Sequence, residues 1–346
     1  MNRTKPKQVC CWLVCSLVLW IATSAFGGGV VERELLFIGN SYTSANSLHS
    51  LYEDLAEVGV PGYANVTTEA VTKGGYKLSQ HAADAGTPTQ ALNALLAEGN
   101  GWQAVVLQEQ SQVPGFIDAD PFQWNQSLSG VQSLNARIEA LGAHTVLLMT
   151  WGRRNGDNNN PDLFPDFETM QAALTKGYTQ YAIQSSTPER TVYVAPVGEA
   201  FEWIYQFHLT QGEDPLDGAS LFSRLYTSDG SHPSLLGSAL ATLVVYATIT
   251  GRSTATVPWP LGDIDEEDRA RLTMATAATV LDTSFEPMEL PSGPAHAYPW
   301  LKTWAEAAPA SISDDVTISS GLERPTALVD APQSALTSLK IGIEHG

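Results

Sequence analysis

Five short apolar runs recur along the chain, and stretches with helical spacing separate them. The runs are 35–39 (LLFIG), 65–71 (NVTTEAV), 103–108 (QAVVLQ), 144–150 (HTVLLMT) and 191–196 (TVYVAP). They are short and nearly continuous, as parallel strands buried on both faces should be. Between the first two, Leu48, Leu51, Tyr52, Leu55 and Val58 recur at helical intervals, and Leu92, Leu95 and Leu96 do so after the second. Residues 130–142 and 166–184 are long enough for helices and broadly amphipathic. After 232, Leu235, Leu236, Ala239, Leu240, Leu243 and Val244 form an apolar stripe that stops at Gly251. Strands alternating with helices imply βαβ units, hence an α/β domain with a parallel sheet and helices on both faces. With 43% apolar and 16% charged residues the composition is globular, and no internal repeat is visible.

In such sheets functional groups gather at the carboxyl ends of the strands. The first run ends in Gly39-Asn40-Ser41 and the second in Thr72-Lys73-Gly74-Gly75. The third ends in Gln108-Glu109-Gln110-Ser111, the fourth in Trp151-Gly152-Arg153-Arg154-Asn155. Polar and glycine chemistry thus collects at the strand ends, while the strand bodies are bland.

The two ends of the chain read differently from its middle. Arg3, Lys5 and Lys7 precede a 17-residue uncharged run, 10–26, which closes on small residues before Gly27-Gly28-Gly29. Residues 1–27 therefore read as a signal peptide for a secreted or periplasmic protein. The alternative is an uncleaved N-terminal membrane anchor. A lipoprotein reading through Cys15 is weaker, because Leu13-Val14 lacks the usual small residue. Residues 31–290 form the expected domain, and 291–346, rich in Pro, Ser and Ala, an extension that is partly irregular. All three cysteines (Cys10, Cys11, Cys15) lie in the leader, so the mature chain is expected to hold no disulfide and no thiolate site. Removing the leader's three positive charges takes the formal net charge from −19 to −22. Such a surface repels phosphate backbones, which argues against a nucleic-acid partner. No HExxH, His-x-His, Gly-x-Gly-x-x-Gly or phosphate loop is present, so no metal and no cofactor is assigned.

Ser41 can be read in two ways. A serine ahead of a helix is a common cap. It can also be a nucleophile, which needs a base to take its proton and an acid to orient that base. The stretch TSDGSHPSLLG (227–237) offers both, since Asp229 and His232 lie three residues apart just before the last strong helix. By itself, that stretch could equally be a turn that starts a helix. His49 falls on the helix after Ser41, eight residues on, and points along it, while His81, His144 and His208 have no acid at suggestive spacing. Glu199 and Glu202 follow the fifth run, where they flank a helix or support the site.

Taken together, Gly39-Asn40-Ser41, Gly74-Gly75, the polar turn after the third run and Asp229-x-x-His232 resemble the GDSL/SGNH hydrolases over residues 35–250. The resemblance implies a three-layer α/β/α fold on a five-stranded parallel, flavodoxin-like sheet. It also implies a triad with Ser41 as nucleophile, His232 as base and Asp229 as orienter. Two departures stand out. Gly-Asn-Ser replaces the usual Gly-Asp-Ser, and LQEQS (107–111) replaces the Gly-x-Asn-Asp block that supplies an oxyanion donor. LQEQS is similar to the Gln-Gly-Glu-Ser turn of sialate and xylan acetylesterases, and to a bacterial SGNH-like branch that carries Leu-Gln-Glu-Gln-Ser. The hole still needs two or three donors. The Ser41 N–H, an N–H at Gly74 or Gly75, and a glutamine amide are the candidates, Gln108 before Gln110. Asn40, Trp151 and Arg153 are expected to line the substrate cleft, with Arg154 in a solvated loop. The expected function is an exported serine esterase acting on a small-molecule or polysaccharide ester, an O-acetyl group on a carbohydrate above all. An O-acyltransferase using the same triad and a catalytically silent binding protein are the alternatives.

Overall fold

The computed structural model describes residues 33–59 and 66–280; the leader and the C-terminal extension lie outside the described residues. The chain runs β1 (Arg33–Gly39), α1 (Ser41–Ser44), a 3₁₀ turn (Ala45–Ser47) and α2 (Leu48–Gly59). β2 (Val66–Thr72), α3 (Leu78–Ala85), α4 (Ala91–Leu95) and β3 (Ala104–Leu107) follow. A 3₁₀ turn (Val113–Ile117) leads into α5 (Pro121–Ala140), β4 (His144–Leu148), α6 (Phe167–Ser185) and β5 (Tyr193–Ala195). The last elements are α7 (Val197–Thr210), α8 (Leu221–Arg224), α9 (Leu235–Thr250) and α10 (Glu266–Val280).

All five strands are parallel, in the order β2-β1-β3-β4-β5. The period of two along each strand divides the interior into two cores. Leu35 and Phe37 face one side with Val106, Val146 and Tyr193, where α2, α7, α9 and α10 cover them. Leu36 and Ile38 face the other side with Val105, Leu107 and Leu147, under α3, α4, α5 and the second half of α6. The three-layer α/β/α architecture expected from the sequence is the one observed. α9 is buried along its whole length from Gly237 to Thr250. Its threonines tolerate this because Thr242, Thr248 and Thr250 each donate to the carbonyl one turn back, at 2.7–2.8 Å.

Boundaries moved where capping outweighs periodicity. α5 begins nine residues before the stretch singled out by periodicity, because Pro121 suits the first turn and Asp120 Oδ1 accepts the Gln123 N–H at 3.0 Å. α10 has few large apolar residues, with Leu272 and Ala275 among the four it buries, so its spacing gave no signal.

α3 and α5 cross closely on the second core. A Cβ on Gly130 would lie 2.5 Å from Ser79 N and 2.6 Å from Ser79 Cα, both backbone atoms that cannot swing away. Gly130→Ala is therefore expected to cost about 1–3 kcal/mol through overpacking. Thermal unfolding of the variant checks this, and an unchanged Tm would show that the two helices part freely.

Candidate active site

The carboxyl end of β1 turns sharply into α1. Gly39 has to be a glycine there, because a Cβ would stand 2.4 Å from Thr43 Oγ1 and 2.6 Å from Gln108 Oε1. Asn40 caps the helix, its Oδ1 accepting the Tyr42 N–H at 3.1 Å, while its Nδ2 donates to Tyr76 O at 3.0 Å. Ser41 is the first residue of α1. Its Oγ lies 2.8 Å from His232 Nε2, and His232 Nδ1 lies 2.6 Å from Asp229 Oδ2. With Nδ1–H donating to the carboxylate, Nε2 is left bare to accept the Ser41 hydroxyl proton. The three residues singled out as nucleophile, base and orienter thus form one hydrogen-bonded chain.

The turn that carries the dyad holds itself together. The second oxygen of Asp229 accepts from the Ser231 N–H (2.8 Å), the His232 N–H (2.9 Å) and the Thr227 hydroxyl (2.8 Å). Partial burial pushes the Asp229 carboxyl up. The hydrogen bonds from His232, Ser231 and Thr227 outweigh it and hold the carboxyl well below the usual range. Thr227 N donates to His232 O at 2.8 Å and Ser234 N to Leu225 O at 2.8 Å, which clamps the base of the turn.

Several neighbours escaped the sequence reading. Tyr42, next to the nucleophile, shares a 2.6 Å hydrogen bond with Ser231 Oγ and packs edge-on against the His232 ring at 5.4 Å. Asn46 and Ser47 both adopt left-handed backbone (φ 54° and 53°), which breaks the helix after α1. Asn46 Nδ2 then reaches Pro233 O and Ser238 Oγ, tying the nucleophile segment to the histidine turn. His81 is buried behind the site and donates from Nε2 to Gly39 O at 2.8 Å. Tyr42 carries the ordinary signature of a core aromatic, and no spacing separates it from one.

Four expectations change. Trp151 does not line a cleft: it is 1% exposed, stacks between Tyr42 (4.8 Å) and Phe201 (4.6 Å), and donates from Nε1 to Ser231 O at 3.1 Å. Arg153 is committed to Asp157 and to Gln112 Oε1, so its guanidinium braces loops. Asn40 is buried with both ends of its amide in use. Gln108 is no free donor either. Its Oε1 accepts from the Asn40 N–H (3.0 Å) and the Thr43 hydroxyl (2.8 Å), and its Nε2 donates to Glu109 O. The chain leaves the strand ladder here and aims this side chain under the nucleophile turn. Gln110 differs: its Oε1 accepts the Gln112 N–H at 3.1 Å, and its Nε2 has no hydrogen-bond partner among the described residues. The N–H groups of Ser41, Gly74 and Gly75 are likewise uncommitted among the described residues. Gly75 has φ 66° and nothing within 4 Å of its open side.

Gln108→Ala is therefore expected to lower both Tm and kcat, since it releases the Asn40 N–H and the Thr43 hydroxyl together. A lost kcat with unchanged Tm would restore Gln108 as a direct donor. Glu199 lies in the first turn of α7, and no hydrogen bond links it to the triad. Burial, and then the charge of Glu202, push its carboxyl up to about 8. The protonated form is favoured in the fold, so this contribution to stability is full below the ordinary carboxylate range. It is lost as pH rises through about 8. Tm measured from pH 5 to 9 should fall for this reason, and Glu199→Gln should flatten the fall.

No family model matches the chain, and no curated protein matches it. Solved structures do. A candidate SGNH hydrolase from Slackia heliotrinireducens is 27% identical, covering 63% of this chain and 100% of its own, with a TM-score of 0.46. A DUF4886 family protein from Bacteroides uniformis is 18% identical over 72% of this chain and 95% of its own, with a TM-score of 0.54. Axe2, an acetylxylan esterase from Geobacillus stearothermophilus, is 13% identical over 63% of this chain and 93% of its own, with a TM-score of 0.41. The five parallel strands, flanked by helices on both faces, make a three-layer α/β/α fold that the Bacteroides uniformis protein shares.

Proposed function

We propose that this protein is a serine esterase that works through an acyl-enzyme. The observation that carries the reading is the hydrogen-bonded chain from Ser41 Oγ through His232 to Asp229, at 2.8 and 2.6 Å. Ser41 Oγ attacks the ester carbonyl carbon as His232 Nε2 takes the hydroxyl proton. Asp229 stabilises the imidazolium and holds the ring in place. The carbonyl oxygen becomes an oxyanion, received by the uncommitted N–H groups of Ser41 and Gly75 and by the amide of Gln110. The intermediate then collapses, and the alcohol leaves with the proton from His232 Nε2. Water enters, gives its proton to Nε2, and repeats the sequence to release the carboxylic acid and the free serine.

The substrate in this reading is an acyl ester, an O-acetyl group on a carbohydrate first of all. Two things support it. LQEQS is similar to the corresponding turn of carbohydrate acetylesterases. The dyad is also open, with the His232 side chain 40% exposed and that of Asp229 48% exposed, which leaves room for an alcohol as large as a polysaccharide. The basic, apolar leader supports action outside the cytoplasm, and the mass of the mature N-terminus tests that.

Ser41→Ala and His232→Ala are each expected to lower kcat on nitrophenyl acetate by about 10³-fold or more with Tm retained. A fluorophosphonate probe should leave a single adduct on the Ser41 peptide. Hydrolysis at the wild-type rate by Ser41→Ala would sink the proposal. A sugar acceptor that diverts the acyl group from water would turn it into a transferase.

A further inference from the structure

Glu109 stands in the middle of LQEQS, fully buried, and the triad does not touch it. Its Oε1 accepts the Leu78 N–H at 3.0 Å and the Gln110 N–H at 2.6 Å. Its Oε2 accepts the Ser127 hydroxyl, which itself receives the Tyr181 hydroxyl at 2.7 Å. Glu109 N donates to Tyr178 OH at 3.3 Å. No cation forms an ion pair with this carboxylate among the described residues. A buried charge is costly, and hydrogen bonds offset only part of the cost. Apolar packing could have joined α3, α5 and α6 more cheaply. A carboxylate kept here calls for a reason beyond joining helices.

The positions of its donors supply one. Leu78 opens α3 and directly follows the segment Gly74-Gly75-Tyr76-Lys77. That segment is pinned at three points: Lys73 N to Gly39 O (3.3 Å), Asn40 Nδ2 to Tyr76 O (3.0 Å), and Leu78 N to Glu109 Oε1 (3.0 Å). The other backbone donor, Gln110 N, belongs to the glutamine whose amide nitrogen is uncommitted. Gln108, one residue earlier, grips the Asn40 N–H and the Thr43 hydroxyl on either side of Ser41. Adjacent side chains thus hold the Ser41 turn on one hand and the start of α3 with Gln110 on the other.

We propose that Glu109 is a positioning residue for the oxyanion hole. Its buried carboxylate sets the glycine turn and Gln110 at a fixed distance from Ser41. It touches no substrate. The inference rests on the esterase reading above.

One N–H decides the matter. Leu78 is the first residue of α3, a position where proline is tolerated, and Lys77 before it is extended (φ −98°, ψ 154°), as a residue preceding proline must be. Leu78→Pro and Leu78→Ala both lose the buried side chain, but only the first removes the N–H that Glu109 accepts. Leu78→Pro is expected to lose somewhat more Tm, since it also removes a hydrogen bond to a buried carboxylate, so both are assayed well below the lower Tm. Leu78→Pro should then turn over about 10- to 100-fold more slowly than Leu78→Ala at similar KM, with a matching fall in the fluorophosphonate labelling rate, as for a donor displaced by about an ångström. A second pair covers the case in which these fail to fold. Glu109→Gln keeps an acceptor oxygen of the same reach and should stay within a few-fold of wild-type kcat, while Glu109→Ala should fall at least ten-fold below it. Equal kcat within either pair, or a loss confined to KM, overturns the positioning role. Wild-type protein that neither hydrolyses esters nor labels at Ser41 overturns the esterase reading itself.

Discussion

The side-chain oxygen of Gln108 accepts two hydrogen bonds, one from the Asn40 N–H and one from the Thr43 hydroxyl, on either side of Ser41. The sheet puts it there. β1 and β3 pair in register with Ile38 opposite Leu107, and Gln108 N makes the last bond between them, donating to Ile38 O at 2.8 Å before the chain leaves the ladder. The next atoms of β3 therefore emerge directly beneath the turn out of β1. Gly39 has no side chain because that space is already filled. Ser41 is thus positioned less by its own helix, which is four residues long, than by the neighbouring strand.

The histidine side of the site is fixed by different physics. Asp229 organises the turn from within, but its bonds to the turn's own residues do not fix where the turn sits on the rest of the fold. What does so is buried or local. The Tyr42–Trp151–Phe201 stack lies under the turn and hydrogen-bonds it at Ser231 through Tyr42 OH and Trp151 Nε1. Arg154 N donates to Gly230 O at 2.8 Å and Tyr226 OH to Gly152 O at 2.7 Å, stitching the turn to the end of β4. The dyad can remain open to solvent because its support is not.

Much of this was legible from residue order. The apolar runs marked β1, β3, β4 and β5, since strands buried on both faces have little freedom in composition, whereas the marked edge strand β2 buries only Val66. A glycine-polar-serine turn and an Asp-x-x-His turn are short motifs whose members act locally, and the structure brings them together. Side-chain direction just past a strand end was not legible. Within a strand the alternation assigns a face to every residue; at Gln108, Trp151 and Arg153 the chain has left the ladder, and the rule no longer applies. All three turn inward to brace loops. Glu109 was hidden for a related reason. A carboxylate in a polar turn reads as solvated, and only the convergence of α3, α5 and α6 encloses it.

The hydrogen bond between Ser41 and His232 spans 191 residues of sequence. The His232–Asp229 bond spans three. The second can form in an isolated turn, whereas the first closes a loop nearly as long as the described domain and must wait for distant parts of the chain to be in place. A partly folded intermediate can hold a well-made acid–base pair with nothing to deprotonate. In the esterase reading, protein caught in such a state would be unreactive toward esters. In that reading the site is complete only once this long-range contact has formed.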